Sequence, residues 1–531
     1  MSRKKQARSV LSKTLGFFKI FFKNKQGTLG VIIIVGFVFM AIGAPLMTDK
    51  DPTRDTRLAG ILAAPVWLKY LPSYLGGNPS LCENFHPVLT SFDNGIGGWT
   101  WTSANNTSVR WNQTYGVKNG SLEVQFNGNM STGYRTTIYV YFNFTYPYGS
   151  NPVSFNISNS MRVKGTSYDV TREYTVWGKK VNITRNELYV MPTVELFIQR
   201  DSDNKYWPVW PSTVSTTYWE NAVNGTFFSP TTVWQYAKLD GAFLKVFNPA
   251  FKGVMDVPRE IFKDTPGNFS YGMRIDFMVV NGSAPAYTSV YLDDIDFYCA
   301  GNAYGLMGTD AQGRDLFSQL VYGSRVSLYV GLLSAVISVV IGLLVGLAAG
   351  FLGRAVDEVL MRVTDLLLVI PFLPLLLVLV AIFGPTMQNL VIIIGVLGWM
   401  GFARVVRAQV LSLRERSFVE AAKAIGAGTS HIMIRHILPN IMSLVYVTLA
   451  SSVPGAITAE AALGFLGFSD PSRTSWGKML NEAQFIGGGA QTGKWWWIVF
   501  PGLCIALLAM SFILLGFALD EILNPKLRLR R

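Results

Sequence analysis

The sequence predicts a mixed fold: a bundle of six transmembrane helices with an extracytoplasmic β-sandwich inserted between the first two. Half of the 531 residues are hydrophobic and only 15% are charged, a composition typical of membrane proteins. The apolar residues gather in six long runs. Between the first and second runs lies a long segment without any such run, in which apolar and polar residues alternate.

The six apolar runs have the lengths that transmembrane helices need. The first run is too long for a signal-peptide core and has no obvious cleavage site, so we expect it to remain as an anchor. Six spans put both chain ends on one side, and basic residues cluster at both ends, which places the ends in the cytoplasm. The later runs cover residues 326–352, 366–384, 387–410, 440–462 and 495–519.

These runs divide the chain into five parts. They are a basic cytoplasmic N-terminus (1–26), a first transmembrane helix (27–48), a β-sandwich (50–305), a five-helix core (306–520) and a basic tail (521–531). The net charge of +13 is not accompanied by a basic domain with interleaved aromatic residues, so we expect no nucleic-acid binding.

The segment between the first two spans has the pattern of short β-strands. Leu122, Val124 and Phe126 alternate with polar residues, and a second alternating run starts at Met273. Turn residues such as those at Asn127 follow the runs. This pattern predicts a β-sandwich.

N-glycosylation sequons support an outer location for this segment, since all of them fall inside it. The candidate asparagines are Asn105, Asn106, Asn112, Asn119, Asn129, Asn143, Asn156, Asn182, Asn224, Asn268 and Asn281. Cys82 and Cys299 bracket the segment, and we expect them to form a disulfide there, the alternative being two free thiols. The three histidines are scattered, so no zinc site is expected.

Both ends of the outer segment resemble carbohydrate-binding jelly rolls. Phe92-Asp93-Asn94-Gly95 is similar to their opening strand, and the run from Tyr291 to Phe297 to their closing strand. Asp293 and Asp296 are candidates for a structural calcium ion, although two aspartates alone do not define a site. We expect Trp207, Trp210 and Trp219 to pack in the core or loops rather than to bind sugar.

Glycine and proline mark special positions in the predicted spans. Gly342, Gly346 and Gly350 free one face of the second span for close approach of another helix. Prolines interrupt helical hydrogen bonding in the third and fifth spans, and Glu460 is an ionisable residue near the outer end of the fifth. These features make the two spans candidates for the lining of a pathway, although Glu460 also suits a helix end at the headgroups. The candidate pathway residues are Pro371, Pro374, Pro454 and Glu460.

The loop between the fourth and fifth spans, residues 417–440, faces the cytoplasm in this topology. Its composition predicts an alanine-rich helix that ends at Gly426 or Gly428, then a helix capped by Thr429 or Ser430 and stopped near Pro439. The loop also carries apolar residues, which indicates contact with the membrane, the span ends or a partner.

Glu420-Ala421-Ala422, then Gly426 and a Leu438-Pro439 ending, resemble the coupling loop of ABC importer permeases. His436 stands where the general pattern has an aliphatic residue, and in this position the chain resembles members of the dipeptide/oligopeptide branch. Further stretches resemble the C-type permeases of that branch, and the resemblance covers residues 1–50 and 305–531. Among these stretches are Gly308-Thr309-Asp310, Gly313-Arg314-Asp315, Gly464-Phe465-Leu466-Gly467 and Ser475-Trp476-Gly477.

The resemblance implies a type I ABC importer permease in the cell membrane, with no catalytic residue and no cofactor of its own. ATP and magnesium would be bound by two partner ATPase subunits. A second permease and an extracytoplasmic substrate-binding protein would complete the assembly, surrounded by membrane lipid. The residues implied to contact the ATPase are Glu420, Ala421, Ala422, Gly426, Ile432, Arg435, His436, Ile437, Leu438 and Pro439.

The expected function is therefore import of dipeptides and oligopeptides. An oligosaccharide importer of the same family is the first alternative, because similar permeases carry such cargo. A membrane-anchored carbohydrate-binding or adhesion module is the second, although it needs neither six spans nor a coupling loop.

Overall fold

The structure is a computed structural model, which describes residues 21–22, 24–176, 179–210, 235–240, 244, 251, 253–486 and 493–523. Side chains of residues 170–186, 210 and 235–240 are not described. Most of the basic N-terminus and residues 524–531 of the tail therefore lie outside the described residues, as do Asn224, Trp219 and the side chains of Asn182 and Trp210. The chain divides into two units. The first, Arg57–Thr309, corresponds to the segment predicted to lie outside the membrane and is called the outer unit; the second is formed by Met1–Thr56 with Asp310–Arg531.

The second unit is helical. Its first helix is α1 (Lys25–Met47), and the outer unit contributes the short α2 (Val257–Ile261). The helices after the outer unit are α3 (Leu316–Leu352), α4 (Arg354–Val369), α5 (Phe372–Phe383), α6 (Met387–Leu397), α7 (Met400–Arg414), α8 (Ser417–Ala424), α9 (Thr429–Ile432), α10 (Leu438–Phe465), α11 (Trp476–Phe485) and α12 (Trp495–Leu523).

In the described part of the chain, five helical segments are long and apolar enough to cross a membrane, or six if a bent pair is counted as one span. The five are Lys25–Met47, Leu316–Leu352, Met387–Arg414, Thr429–Phe465 and Trp495–Leu523. The multi-pass membrane fold predicted from the apolar runs is thus confirmed. The second span starts ten residues before its predicted position 326, because Asp315 caps α3 by accepting hydrogen bonds from the N–H groups of Phe317 and Ser318.

The third predicted span, residues 366–384, is not one straight helix. Helices α4 and α5 meet at a bend of 91°. Pro371 lies at the break and lacks an N–H group, and the residue before it, Ile370, is extended with ψ of 126°. Pro374 lies in the first turn of α5, where the missing N–H costs little.

Pro454 does not interrupt the fifth span, contrary to the prediction. Helix α10 continues from Leu438 to Phe465 with Pro454 inside it. A proline removes one backbone hydrogen bond, and a long buried helix retains its other bonds and its packing.

The glycine face of α3 packs directly on α7, as predicted from the four-residue spacing. A Cβ atom at Gly342 would lie 2.9 Å from the carbonyl oxygen of Trp399, and one at Gly346 would lie 2.6 Å from that of Ala403. At Gly350 the nearest atom would be the Cβ of Val410, at 2.8 Å. The absent side chains therefore allow the two backbones to approach.

The outer unit is a β-sandwich, which confirms the second half of the predicted fold. One sheet has six strands in the order β11-β6-β13-β4-β3, with β1 also paired to β13, and the other has five in the order β10-β9-β12-β5-β2. All recorded strand pairs are antiparallel, and β7 and β8 form a separate hairpin. The strands are β1 (Phe85–Thr90), β2 (Thr100–Trp101), β3 (Thr107–Asn112), β4 (Ser121–Gly128), β5 (Arg135–Tyr146), β6 (Ser154–Gly165), β7 (Ser167–Val176), β8 (Lys179–Leu188), β9 (Val190–Arg200), β10 (Lys205–Trp210), β11 (Gln235–Asp240), β12 (Gly267–Val279) and β13 (Ala286–Ala300).

The alternating runs supply the core between the two sheets. Leu122, Val124 and Phe126 on β4 are buried, as are Met273 and its alternate neighbours on β12. Trp207 is also buried, as predicted, within the same apolar cluster. Period-two alternation therefore located the inward faces of both sheets correctly.

The predicted disulfide is not present, since Cys82 and Cys299 are both free and buried. The Cys82 Sγ lies 3.4 Å from the carbonyl oxygen of Asn151 and 3.5 Å from Oδ1 of Asn302. Asn302 also accepts the Cys82 N–H, and the strand register places Cys299 opposite Phe85. These contacts orient Cys82 toward the segments around Asn151 and Asn302.

The two candidate calcium ligands bind different partners. The Asp293 carboxylate accepts hydrogen bonds from the N–H groups of Val117 at 2.6 Å and Asp294 at 2.8 Å. Asp296 instead faces His86, 3.2 Å away, because a β-bulge separates the two aspartates. Within the described ranges, no three His, Cys, Asp or Glu side chains gather in a way that could hold a metal ion.

The sequon asparagines differ in exposure. Asn105, Asn119, Asn129, Asn143 and Asn268 are exposed, whereas Asn106, Asn112, Asn156 and Asn281 are partly buried. The Nδ2 atom that would carry a glycan is buried in Asn106, and in Asn112 it donates to Glu123 at 2.9 Å. Glycosylation at all of these positions stays a prediction, and the exposed asparagines are the more accessible candidates in the folded unit.

Candidate functional site

The first arm of the 417–440 loop is helix α8, and a glycine turn ends it. Gly426 has φ of +82°, a conformation that side chains rarely adopt. Its N–H donates to the carbonyl of Lys423 at 2.9 Å, and the Ala427 N–H donates to that of Ala422 at 3.0 Å. This pair of bonds is a Schellman motif, which closes α8 and turns the chain toward the second arm.

The second arm differs from its prediction at both ends. Helix α9 starts after Gly428, and neither Thr429 nor Ser430 caps it with a side-chain hydrogen bond. It does not stop near Pro439, because a π-helical turn at Met433–Ile437 joins it to α10. Pro439 lies in the first turn of α10, where the wider turn accommodates its missing N–H. The second arm is therefore continuous with a membrane-spanning helix.

Four apolar side chains anchor the 417–440 loop to helices α3, α7 and α10. Val419, Ala422, Ile432 and Ile437 are buried. They belong to one apolar cluster with residues of α3, α7 and α10, including Val406, Val410, Ile441 and Val445. Ala422, Ile432 and Ile437 were predicted to contact a partner, and their burial shows that they hold the loop in place instead. Leu438 is partly buried against the same cluster.

The opposite side of the loop is exposed. Ile425 is 85% exposed, Ile434 65% and Phe418 38%. Glu420, Ala421 and Arg435 are exposed with them. We call these six residues the exposed loop surface: Phe418, Glu420, Ala421, Ile425, Ile434 and Arg435.

Three residues of the exposed loop surface, Glu420, Ala421 and Arg435, were predicted to contact the ATPase, and the other three were not. Glu420 forms no ion pair with any described residue. Phe418 and Ile425 were missed as contact residues, although an isoleucine directly before the helix-ending Gly426 is an available signal. Pro439 is also exposed, and His436 is partly buried with its ring 5.8 Å from that of His431. Large apolar groups exposed on a loop are typical of a surface that another protein covers.

The candidate pathway residues lie on α10 and at the bend between α4 and α5. Glu460 is buried in α10 and accepts a hydrogen bond from Ser327 of α3 at 3.2 Å. Pro371 and Pro374 lie at the bend between α4 and α5. Glu460 thus joins two packed helices, and its role in a pathway stays a prediction.

The motif residues before α3 form an ion-pair network that the sequence did not reveal. Asp310 accepts hydrogen bonds from Arg314 Nε at 2.6 Å and Gln319 Nε2 at 2.7 Å, and Arg314 also reaches Glu482 of α11 at 3.1 Å. Burial raises the pKa of Glu482 above its usual value, although Arg314 opposes this shift. The Gly-Thr-Asp and Gly-Arg-Asp stretches therefore connect the start of α3 to α11.

Comparison with known proteins identifies the family. Residues 338–529 match the family described as binding-protein-dependent transport system inner membrane component. The dipeptide transport system permease protein DppC of Bacillus subtilis is 39% identical over 42% of this chain and 68% of its own length. The oligopeptide transport system permease protein OppC of Haemophilus influenzae is 34% identical over 51% of this chain and 88% of its own length.

Among solved structures, a chain of the MetNI methionine ABC transporter in an inward-facing conformation is 21% identical. The match covers 39% of this chain and 95% of the MetNI chain, with a TM-score of 0.32. The relatives above establish the family by sequence. The chain belongs to the binding-protein-dependent inner membrane transport components, as an ABC permease of the dipeptide and oligopeptide family.

Proposed function

We propose that this permease is the translocation subunit of an ATP-driven importer of dipeptides and oligopeptides. ATP and magnesium are bound by two separate ATPase subunits, and a second permease completes the membrane part. An extracytoplasmic binding protein delivers the substrate. Both chain ends lie in the cytoplasm, and residues 50–305 lie outside the membrane.

The observation that supports this proposal is that one side of the 417–440 loop is exposed and the other is buried. Its outer side presents the exposed loop surface, and its inner side is buried against α3, α7 and α10. Closely packed interiors transmit displacement rather than absorb it. A push on the exposed loop surface would therefore move the helices to which the loop is anchored.

The continuity of the second arm gives this movement a direct route. Helix α9, the π-turn and α10 form one helical segment, Thr429–Phe465, which is long enough to cross the membrane. Closure of the ATPase dimer against the loop would shift this segment and change the side to which the pathway opens. The chain itself supplies no chemical step in this mechanism.

Within the proposal, Glu420 pairs with a basic group of the ATPase. It is exposed on α8 and forms no ion pair with any described residue, so its carboxylate is available to a partner. Glu358 of α4, also exposed but outside the loop, is a matched control for its charge.

The test is co-expression of the chain with its ATPases and second permease, followed by purification through a tag on this chain. We expect the ATPases and the second permease to co-purify. Glu420→Ala should reduce ATPase retention and transport-coupled ATP hydrolysis, whereas Glu358→Ala should change neither. Full retention and coupling in Glu420→Ala would contradict the docking role, and absence of any co-purifying ATPase would contradict the proposed function itself.

A further inference from the structure

The outer face of the five-stranded sheet contains a groove that the transport function does not use. On β5, Ile138 and Val140 point into the core, so Tyr139, Tyr141 and Asn143 point outward. The groove has a volume of about 610 Å³, within the range of small-ligand sites. Its lining includes Tyr139, Tyr141, Phe197, Gln199, Tyr206 and Arg274.

Gly272, between Ser270 and Arg274 on β12, leaves room for the side chains of Tyr141 and Phe197 at the base of the groove. A Cβ atom there would lie 2.7 Å from Cβ of Tyr141 and 2.8 Å from Cζ of Phe197. Phe197 in turn stacks on Tyr206 with ring centroids 4.9 Å apart. The centre of the groove is thus lined by apolar ring surfaces held in place by one another.

The polar groups of the groove include hydrogen-bond donors and acceptors, and its charged side chains are Arg274 and Asp201. Arg274 forms an ion pair with Asp276 at 3.1 Å, so its positive charge is already neutralised. Asn143 accepts a hydrogen bond from Ser270 at 2.8 Å, which leaves its amide N–H groups directed elsewhere. Gln199 adds a further donor and acceptor on the groove surface. Without an unpaired cation among its described residues, the groove is unsuited to phosphate or another strong anion.

A peptide in extended form is also a poor fit, because peptides usually bind sheets by adding a strand at an edge. The groove lies on a sheet face: β5 pairs with β12 and β2, and β9 pairs with β12 and β10. The backbone groups beneath the groove are therefore engaged within the sheet. A ligand there meets side chains only, which are aromatic rings, amides and hydroxyls together with the Asp201 carboxylate and the paired Arg274 guanidinium.

We propose that this groove binds a neutral oligosaccharide. A sugar ring has apolar C–H faces that can lie on Tyr139, Tyr141 and Tyr206, and hydroxyl groups around its rim that can pair with Gln199 and Asp201. The groove is open, which suits a chain of several sugar units. This inference does not depend on the proposed transport function, since every residue that carries it belongs to the outer unit Arg57–Thr309.

The test is isothermal titration of the full chain in lipid nanodiscs. The probes are three neutral tetrasaccharides, of β-1,4-linked glucose, α-1,4-linked glucose and β-1,4-linked mannose, with tetra-alanine as the comparison. We expect saturable binding of at least one tetrasaccharide and none of tetra-alanine. Tyr141→Ala should weaken the binding about tenfold or more, and Tyr141→Phe should retain most of it because the ring remains.

Tyr74→Ala is the matched control, since Tyr74 is a highly exposed tyrosine outside the groove, and it should leave the affinity unchanged. Gln199→Ala provides a second, smaller change with little risk to folding, and it should also weaken binding. Three results would each overturn the proposal. They are no saturable tetrasaccharide binding up to about 10 mM, binding of tetra-alanine alone, or equal affinity in the wild type, Tyr141→Ala and Gln199→Ala.

Discussion

Replacement of Gly346 by alanine tests the contact between α3 and α7. The new Cβ would lie 2.6 Å from the carbonyl oxygen of Ala403 and 2.6 Å from Cβ of Val406. Carbon atoms in good contact are about 3.5–4.0 Å apart, so the two helices would have to separate by about 1 Å. Both obstructing atoms belong to backbone or to a β-branched stem, which cannot rotate away. Overpacking of this kind costs about 1–3 kcal/mol.

The assay is thermal unfolding of the purified chain in detergent, followed by the circular dichroism signal of its helices, since the long helices belong to the unit that carries Gly346. For a unit of this size, a loss of about 1–3 kcal/mol lowers the melting temperature by roughly 2–12 °C. Gly36→Ala is the matched control, because Gly36 also lies in a membrane-spanning helix and nothing lies within 4 Å of its added Cβ. An unchanged melting temperature in Gly346→Ala, or an equal loss in Gly36→Ala, would refute the close-approach argument.

Two further predictions concern the loop and the outer unit. Gly426→Val should weaken ATPase binding because its φ of +82° strains a β-branched residue, whereas Gly426→Asn should retain most of it, since asparagine tolerates this conformation. Equal binding by the two variants in a pull-down would contradict this. Burial raises the pKa of Asp293 from 3.8 to about 6, so the folded unit holds the proton more tightly. This contribution to stability is complete below about pH 4 and is lost as the pH rises through about 6. Thermal melts should show this loss in the wild type and not in Asp293→Asn. The same change of melting temperature with pH in both proteins would refute the prediction.

The sequence was most informative where one kind of residue recurs at the period of a regular element. Four-residue spacing of glycine located the α3–α7 contact, and alternation on β4 and β12 located the sandwich core. In both cases the local pattern and the tertiary contact obey the same geometric rule. The family motif in the 417–440 loop could also be found, because its residues lie close together in the chain.

The division of that loop into buried and exposed sides could not be predicted with equal success. Ile432 and Ile434 are two residues apart and chemically identical, but the first is buried and the second is exposed. Residues two apart lie on opposite sides of a helix, and hydropathy does not tell which of the two faces the core. Ile437, five residues after Ile432, is buried with it across a π-turn that hydropathy does not report either. Pro454 was misjudged because the tertiary packing of α10 outweighs one lost hydrogen bond.

Contacts between distant segments were the hardest to predict. The groove on the outer sheet combines residues from β5, β9, β10 and β12, and no local motif marks it. The bridge from Arg314 to Glu482 joins residues 168 positions apart. The orientation of Cys82 toward Asn302 likewise depends on the pairing of β1 with β13. Each of these features follows from chain topology rather than from local composition.

The most direct test of the account is the affinity of the purified ATPase for this permease in nanodiscs after Ile425→Ala. Ile425 is largely exposed in the isolated chain, and burying such a side chain in an interface contributes about 1–3 kcal/mol. The account predicts an affinity loss of about 5- to 150-fold with no change in melting temperature, while Ile61→Ala, at an exposed isoleucine of the outer unit, changes neither. Unchanged ATPase affinity in Ile425→Ala would contradict the claim that the exposed loop surface is the docking site.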